Sequence, residues 1–304
     1  MKKWISASII AFVGLNSYAC DVCGCSINPG VGNVIPGVFT NYFGVRSSVR
    51  HFESTHLSLF GYASTVSKEW FSSTELQGRY SPHRRIQVYG FIPYNTVHKI
   101  EEDNLYKTNG LGDLRLQINT LLIDKSDSTK NSIFNMFLGG SIKLPTGRYE
   151  FINDEVSYFH RTMLPGTGTF DFTISSDIIY RKKSLGTIAS LGYTRRGENE
   201  LMYRFGNVFY GQLSGFYQLK RTASSYLFEV GIVSTNVAAD YDMRFNEKQV
   251  YTEGWMLSPM FKVSRFSEKW AIYISANKAA VQDLALAQVK QRFQLDIGIT
   301  RFLN

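Results

Sequence analysis

The sequence GLGDLRLQINTLLID (110–124), continued by IFNMFLGGSIKLPTGRYE (133–150) and GTGTFDFTISSDIIYRK (166–182), decides the fold of this chain. In each segment apolar side chains recur at every second position, as Phe172 and Ile174 do on either side of Thr173. Successive side chains leave a β-strand on opposite faces, so a period of two predicts strands. Three such strands in succession predict an antiparallel sheet with one apolar face and one wet face.

The same alternation recurs along residues 37–304 and predicts twelve strands, joined by five short turns and six long loops in alternation. An even number of strands of ~10 residues, with short turns at one end, is typical of bacterial outer-membrane barrels. We therefore predict an all-β fold, an antiparallel up-and-down transmembrane β-barrel in the outer membrane of a Gram-negative bacterium. Irregularities are expected at Pro93 and Pro259, because proline has no N–H to donate to the sheet.

Residues 1–19 carry the features of a secretory signal peptide. Lys2 and Lys3 precede a short apolar run, and Ser17 and Ala19 place small residues at the −3 and −1 positions of a cleavage site. After residue 19 no uncharged apolar run reaches the ~18 residues that a spanning helix needs. The prediction is an exported chain with a Cys-rich extended periplasmic segment at 20–36, followed by the barrel at 37–304.

Alternation alone does not say which face points outward, because a soluble β-sandwich or lipocalin-like barrel keeps its apolar side chains inside. Twelve strands enclose a lumen wider than the ~eight-stranded kind that side chains fill, so we expect a wet lumen. The polar faces also carry both signs of charge, which is costly toward lipid. The predicted lumen-lining residues are Glu75, Arg79, Arg115, Lys143, Asp171, Asp177, Glu229, Lys262, Arg292 and Asp296.

Aromatic residues make up 14% of the chain, and several fall near predicted strand ends. Aromatic side chains at such places form the interfacial girdles of membrane barrels, whereas turn-flanking core residues are the ordinary alternative. The predicted girdle consists of Tyr80, Tyr94, Tyr149, Tyr180, Tyr193, Trp255, Trp270 and Phe302.

All three cysteines lie in one C-x-x-C-x-C motif, at Cys20, Cys23 and Cys25. Four interpretations are open: lipidation of Cys20, binding of a soft metal such as Cu(I), a disulfide within the motif or to a partner, and no role beyond processing. A c-type haem is not indicated, because Gly24 and not histidine follows Cys23. Apart from a soft metal at this motif, the sequence indicates no cofactor.

Three short motifs occur in a recognisable order: GLGDL at 110–114, LPTG at 144–147 and GTG at 166–168. They resemble the outer-membrane family labelled "putative MetA-pathway of phenol degradation". The resemblance covers residues 85–180 and implies a channel-like barrel, with hydrophobic or aromatic solutes as candidates. Glycine and aspartate at these positions also suit rim turns and close strand crossings. The motif residues are Gly110, Gly112, Asp113, Pro145, Thr146, Gly147, Gly166 and Gly168.

Histidines and acidic residues fall together in predicted outer loops, where a divalent ion could bind, although solvated loop residues are the commoner outcome. Outer-membrane hydrolases use a Ser/His pair on the barrel. Here no histidine falls in a predicted strand, and none has a serine in a defined geometry, so we predict no catalytic residues. The residues considered are His51, His56, His98 and His160, with Glu101, Asp103, Asp154 and Glu155.

The predicted function is passage or binding of a small solute, with selectivity set by the lumen charges and by the loop 146–168. Membrane lipid and the solute are the expected partners. The net charge of +8 comes from scattered basic residues on an exported chain, so nucleic acid is not an expected partner. One alternative is a non-transporting barrel that acts as a metal-binding or partner-docking platform through its N-terminal cysteines. The other is an outer-membrane lipid hydrolase.

Overall fold

The structure, a computed structural model, describes residues 40–56, 65–149 and 161–303. The predicted signal peptide, the Cys-rich segment and the loop residues Asp154, Glu155 and His160 lie outside this described part. No helix among the described residues is both long and apolar enough to cross a membrane.

β-Strands account for most of the described chain, together with one short 3₁₀ helix at Arg161–Met163. In chain order the strands are β1 Asn41–His56, β2 Thr65–His83, β3 Ile86–Glu101, β4 Asn104–Leu111, β5 Arg115–Asp127, β6 Ser132–Lys143, β7 Asp171–Lys182, β8 Leu185–Arg196, β9 Tyr203–Arg204, β10 Val208–Lys220, β11 Ser225–Val237, β12 Asp240–Asp242, β13 Glu247–Gln249, β14 Gly254–Phe266, β15 Trp270–Asn277, β16 Val281–Leu284 and β17 Val289–Leu303.

Twelve strand positions form a closed antiparallel barrel in the order β1-β2-β3-β5-β6-β7-β8-β10-β11-β14-β15-β17. β17 pairs with β1 along almost its whole length, which closes the sheet. β4 pairs with β3 beyond the end of β5, and β16 pairs with β14 beyond the end of β15, so neither adds a position. β9, β12 and β13 form a small separate sheet in the long loops. The predicted twelve-stranded up-and-down barrel is confirmed.

The two ends of the barrel differ in the length of their connections. β1 begins and β17 ends at the end that carries the short turns. In outer-membrane barrels this end faces the periplasm, so we call it the periplasmic end and the opposite one the outer end. The short turns are residues 84–85, 128–131, 183–184, 221–224 and 267–269.

Both prolines predicted to disturb the sheet lie inside continuous strands. The backbone pairing is interrupted in the segment next to each strand instead. β3 pairs with β5 before Pro93 and with β4 after it, so the neighbouring chain has a gap in its pairing at Pro93. In that gap the Pro93 carbonyl accepts a hydrogen bond from Gly112 N. Pro259 of β14 likewise lies between the part of β14 that pairs with β15 and the part that pairs with β16. The missing N–H therefore faces a place where no ladder partner is present.

The strands at one side of the barrel extend further at the outer end than the sequence indicates. The sequence predicts a long acidic loop at 98–109, but these residues form the outer part of the β3–β4 hairpin. Its two-residue turn places Glu102 and Asp103 at positive φ, as a tight hairpin turn requires. Polar residues in a strand that rises above the membrane show no apolar alternation, which explains why the pattern missed this extension.

The apolar stripe of the strands faces outward. Phe172 and Ile174 of β7 are each 58% exposed, and Leu295 and Ile297 of β17 are 46% and 55% exposed. A soluble barrel or sandwich would bury these side chains against one another. Exposed apolar side chains all around a closed sheet indicate a lipid-facing surface, so the soluble alternative is wrong.

The predicted aromatic girdle is largely present on this outer surface. Six of its eight members are exposed, whereas Phe302 points into the barrel and Tyr149 lies in the β6–β7 loop against Phe205. The exposed members are Tyr80, Tyr94, Tyr180, Tyr193, Trp255 and Trp270.

Replacing Ile297 by arginine should destabilise the barrel, because the substitution puts a cation on the lipid-facing side of β17, opposite Ile274 of β15. We expect a cost of about 2–4 kcal/mol in the free energy of unfolding, measured by urea titration in lipid vesicles. The control is Leu105→Arg on β4, above the membrane, which should cost about 0–1 kcal/mol. Equal costs at the two sites would contradict the assigned membrane position.

Candidate functional site: the barrel interior

Inward-facing side chains divide the barrel interior into three layers along its axis. An outer apolar layer is formed by Phe52, Phe71, Val97, Met163, Val208, Val237, Leu284, Ala285 and Val289. A periplasmic apolar layer is formed by Tyr42, Tyr89, Phe91, Leu121, Phe137, Ile179, Ile188, Phe216, Leu227, Ala271 and Phe302. Most of the inward-facing charged side chains lie between these two layers, whereas Arg79 is level with Tyr42 and Tyr89 of the periplasmic layer.

Nine of the ten charged residues predicted to line the lumen face this interior, and we call them the polar belt. They are Glu75, Arg79, Arg115, Lys143, Asp171, Asp177, Glu229, Lys262 and Asp296. Most of them are buried, so the lumen is filled more densely than the expected wet channel.

Arg292 is the exception, because it points outward and pairs with Glu53 on the outer surface. The β1–β17 register shifts here: His51 pairs with Phe293 and Phe52 pairs with Gln291, so Arg292 is the extra residue of a β-bulge. A bulge reverses the parity of the residues beyond it, and simple alternation cannot show where one occurs.

On one wall of the interior, arginines surround a single carboxylate. Arg46 Nη2 lies 3.1 Å from Glu75 Oε1, and Arg115 Nη2 lies 3.7 Å from Glu75 Oε2. The Arg115 guanidinium also lies 4.1 Å from the centroid of the Phe91 ring. These contacts offset part of the cost of removing the charges from water.

The opposite wall holds carboxylates with mostly neutral donors. Glu229 accepts hydrogen bonds from Ser214 Oγ at 2.7 Å and from Gln212 Nε2 at 3.0 Å. Asp177 accepts one from Ser190 Oγ at 2.5 Å. Lys262 Nζ lies 3.9 Å from Glu229 Oε2, so each wall holds both signs, with arginines in excess around Glu75 and carboxylates in excess around Glu229.

A segment of the β6–β7 loop, residues 161–170, enters the barrel and is held there by Asp113. The Asp113 carboxylate accepts hydrogen bonds from the backbone N–H groups of Gly147 and Thr167, each at 2.9 Å, and from Thr167 Oγ1 at 2.6 Å. Asp113 precedes β5, so this one side chain ties two distant parts of the loop to the barrel wall. We call residues 161–170 the inserted segment.

Lys143 joins the inserted segment to the strands. Its Nζ lies 2.6 Å from Asp171 Oδ2 and 3.2 Å from Asp113 Oδ2, and it also donates to Thr167 Oγ1. Thr169 Oγ1 donates to Asp171 at 2.7 Å. The cation thus bridges two carboxylates on separate elements, and the segment between them is fixed at both sides.

The family-like motif residues form the packing contact for this segment. A Cβ at Gly147 would lie 2.6 Å from the Gly112 carbonyl carbon, and a Cβ at Gly166 would lie 2.6 Å from the Gly147 carbonyl carbon. Three backbones therefore pack in direct contact, which only glycine permits. Thr146 Oγ1 accepts a hydrogen bond from Leu114 N at 2.9 Å, and Gly168 has a φ of +68°.

Two motif residues remain. A Cβ added to Gly110 would lie 3.4 Å from Pro165 of the inserted segment. Pro145 lies in the loop after β6. The Pro165 carbonyl accepts a hydrogen bond from Asn95 Nδ2 at 2.7 Å. Rim turns and close strand crossings were the ordinary explanation for glycine and aspartate at these positions. The structure shows that these residues hold a loop inside the barrel.

The inserted segment leaves a cavity of about 90 Å³ beside the polar belt. Side chains of both signs line it, among them Arg50, Glu75, Arg115, Asp113 and Lys143. Above the cavity, Met163 from the same segment is completely buried in the outer apolar layer. The loop therefore contacts the polar belt through Thr167 and Thr169 and contributes Met163 to the apolar layer that closes the outer end.

The long loops around this site are ordered by a second buried carboxylate. Asp240 of β12 accepts hydrogen bonds from Tyr203 Oη at 2.6 Å and from Gly206 N at 2.7 Å. Burial raises the pKa of this carboxyl, with the two hydrogen bonds and the cations Arg196 and Arg161 acting in the opposite direction.

The predicted placement of the histidines in loops is wrong for three of the four. His51 and His56 lie in β1, and His98 lies in β3, because these strands extend beyond their predicted ends. No group of three or more His, Cys, Asp or Glu side chains within the described ranges is arranged to hold a metal ion. The cysteine motif lies outside those ranges, so its four interpretations stay open.

A serine–histidine contact that the sequence did not reveal lies above the outer apolar layer. His56 Nε2 is 2.9 Å from Ser67 Oγ and 3.5 Å from Glu101 Oε1. These residues lie on three neighbouring strands, β1, β2 and β3. The register of the strand pairing places them next to one another. Ser67 is fully buried and its hydroxyl donates to Glu69, so the pair does not present a nucleophile to a substrate.

Comparison with known proteins agrees with this architecture. The profile of the family described as "Putative MetA-pathway of phenol degradation" matches residues 56–264. The fold is similar to that of an outer membrane channel from Pseudomonas putida F1, at 14% identity and a TM-score of 0.66 over 91% of this chain and 100% of that chain. The beta domain of the Bordetella autotransporter BrkA gives a TM-score of 0.51 at 10% identity, over 87% and 100%. No curated protein sequence matches the chain.

Gly166→Ala should weaken the packing of the inserted segment, because the added methyl group meets the Gly147 backbone. We expect a loss of about 1–3 kcal/mol in the free energy of unfolding, measured by thermal or urea titration of the folded barrel. Gly140→Ala in β6 is the matched control, since the nearest atom to its added Cβ is 4.0 Å away. A loss of the same size in both variants would show that the three-backbone contact is not specific.

Proposed function

This chain belongs to the family described as "Putative MetA-pathway of phenol degradation", and we propose that it is an outer-membrane channel for small solutes whose lumen is gated by the inserted segment. The observation that carries the proposal is the location of residues 161–170 inside a twelve-stranded barrel. A barrel of this width has room for a passage, and here a loop occupies that room.

We infer a movable gate because a loop residue, and not only strand residues, closes the outer end of the barrel. Strand residues form most of the outer apolar layer, but Met163 comes from the loop and lies at zero exposure within it. Strands paired on both sides cannot leave the barrel wall, whereas a loop can withdraw without breaking the barrel's own hydrogen bonds. Withdrawal of the segment removes Met163 and opens the space beside the polar belt.

The latch of this gate is ionic. Lys143 contacts both Asp113 and Asp171, and all three side chains contact threonines at 167 or 169 of the segment, through bonds that are not part of the barrel's backbone pairing. A buried network of this kind has two stable outcomes, fully paired or fully hydrated, because a partly paired charge in the interior is costly. The latch therefore favours two discrete states over a gradual opening.

Small hydrophobic or aromatic solutes are the class we propose for this passage. Apolar layers lie at both ends of the lumen, and the arginines on one wall of the polar belt can contact aromatic faces, as Arg115 does with Phe91. The present cavity of about 90 Å³ is smaller than the ~150 Å³ that holds a benzene ring. Passage of such a solute therefore requires the segment to move.

A reversible cross-link tests the gate directly. Asp113→Cys with Thr167→Cys, made with the three native cysteines replaced by serine, places two thiols where the carboxylate now contacts the threonine hydroxyl at 2.6 Å. When the thiols are reduced the latch is lost, and we expect conductance in planar bilayers to rise several-fold. Oxidation should return it to the wild-type level or below. Equal conductance in the two redox states would contradict gating by this segment.

Asp113→Asn is the simpler variant, and it should also raise conductance and the uptake of small aromatic solutes into liposomes. The amide cannot accept all three hydrogen bonds and does not neutralise Lys143. Its control is Asp127→Asn at the periplasmic end of β5, where the carboxylate contacts Thr129 and Lys130 and no other residue that the structure describes. Heat-modifiable mobility on gels confirms folding of each variant, and no conductance in any of them would overturn the channel itself.

An alternative function is a docking platform, and the C-x-x-C-x-C motif favours it. Close thiolates bind soft metals and form disulfides with partners. Replacing Cys20, Cys23 and Cys25 by serine and measuring metal content and copurifying proteins separates this role from transport, because the substitutions leave the gate residues intact. A lipid hydrolase is not supported, since Ser67 is buried and hydrogen-bonded to Glu69.

A further inference from the structure

A basic patch lies on the outer wall of the barrel, where β17, β1, β2, β3 and β4 run side by side. Glu53 of β1 lies directly opposite Lys68 of β2 on one side and Lys290 of β17 on the other. Arg292, turned outward by the bulge in β17, donates to the Glu53 carboxylate from Nε at 2.7 Å. Lys107 of β4 continues the basic surface two strands further along.

These residues lie just above the membrane on the outer side. Trp70 and Tyr80 both point outward from β2, ten residues apart. At ~3.3 Å per residue and a tilt of about 40° they are about 25 Å apart along the membrane normal, which is the height of the apolar band of such barrels. Tyr80 lies toward the periplasmic end, so Trp70 marks the outer interface, and Lys68 lies one step beyond it.

Aromatic rings form the floor of the patch. The His51 ring stacks on Trp70 at 4.3 Å between centroids, and Phe293 lies 5.6 Å from His51 and 5.7 Å from Trp70. Rings at this level contact acyl chains and carbonyl groups, while the long side chains of lysine and arginine reach past them toward the head groups. The patch thus has an apolar lower part and a cationic upper part.

Cations outnumber carboxylates on the outward face of β17, β1 and β2 at this level. Three cations, Lys68, Lys290 and Arg292, flank one carboxylate, Glu53, which Arg292 alone contacts by hydrogen bonds among the described residues. Elsewhere around the outer rim the outward positions include the aromatic residues Phe172, Phe209 and Trp255, with Arg195 of β8 as a single exposed cation beside Phe172. A net positive surface directly above an aromatic band suits an anionic amphiphile whose chains lie in the membrane.

We propose that this patch is a binding site for the phosphate groups of an outer-leaflet glycolipid of the lipid A type, with Lys68, Lys290 and Arg292 as the phosphate ligands. Membrane position and charge complementarity select this occupant. A protein partner would need no aromatic floor at the level of the acyl chains. The site is separate from the lumen and does not depend on the proposed channel function.

The test is binding of purified lipid A, with both phosphates present, to the full protein in a neutral detergent, followed by native mass spectrometry and by titration. Lys68→Gln, Lys290→Gln and Arg292→Gln in one chain should weaken binding at least about tenfold, because each cation near anionic lipid contributes roughly a fivefold factor. The matched control replaces Lys182, Lys183 and Arg221 at the periplasmic turns by glutamine and should change affinity less than about twofold.

Lipid A with its phosphates removed gives the second measurement, which does not depend on any variant folding. The wild-type protein should bind it about as weakly as the triple variant binds intact lipid A. If the phosphate-free lipid binds as tightly as lipid A, or if the triple variant retains wild-type affinity, the phosphate site is wrong. Heat-modifiable mobility of the triple variant checks that its barrel has formed.

Discussion

Backbone hydrogen bonding in an apolar medium is the constraint on which this whole structure depends. No water satisfies an N–H or C=O group inside a bilayer, so each strand needs a neighbour on both sides. Pairing of β1 with β17 removes the two edges that an open sheet would leave. Closure then separates an outside, which must be apolar, from an inside, where charges find partners. Pro93 and Pro259 meet the same constraint. Each lacks an N–H, and on one side of each proline the pairing of the adjacent segment is interrupted, so that no ladder partner faces the missing N–H.

Closure with twelve strands creates a second requirement, since an interior of this width must be hydrated or filled. Here side chains fill both ends, and a returning loop fills much of the middle. The charges that this buries are acceptable because Asp113, Lys143 and Asp171 are partnered by one another and by threonine hydroxyls. Three motifs that are separate in the sequence thereby become one structural unit, in which glycine backbones pack against each other and one carboxylate joins the pieces.

Most of the fold could be predicted from the local sequence pattern, and the errors of that prediction are also local. The count of strands, their antiparallel order and the parity of nine charged residues all come from a period of two and from turn spacing. The strand ends at the outer rim could not be predicted in this way. Strand residues above the membrane are polar on both faces, as around His56 and His98, so they show no alternation of apolar and polar side chains. Arg292 was misplaced because one extra residue in a bulge reverses parity. The contact of His56 with Ser67 depends on register alone, and no signal in either segment indicates it.

By itself, the sequence determined that this chain forms a membrane barrel, how many strands it has and which stripe meets lipid, because those properties follow from alternation along each strand, from the number of strands and from the cost of placing charges toward lipid. The tertiary structure alone decided what occupies the lumen. The contact of Asp113 with Thr167, the bridge from Lys143 to Asp171 and the burial of Met163 all require a loop to fold back into the barrel. That return is governed by shape and charge complementarity between distant segments, which have no periodic signature in a linear sequence.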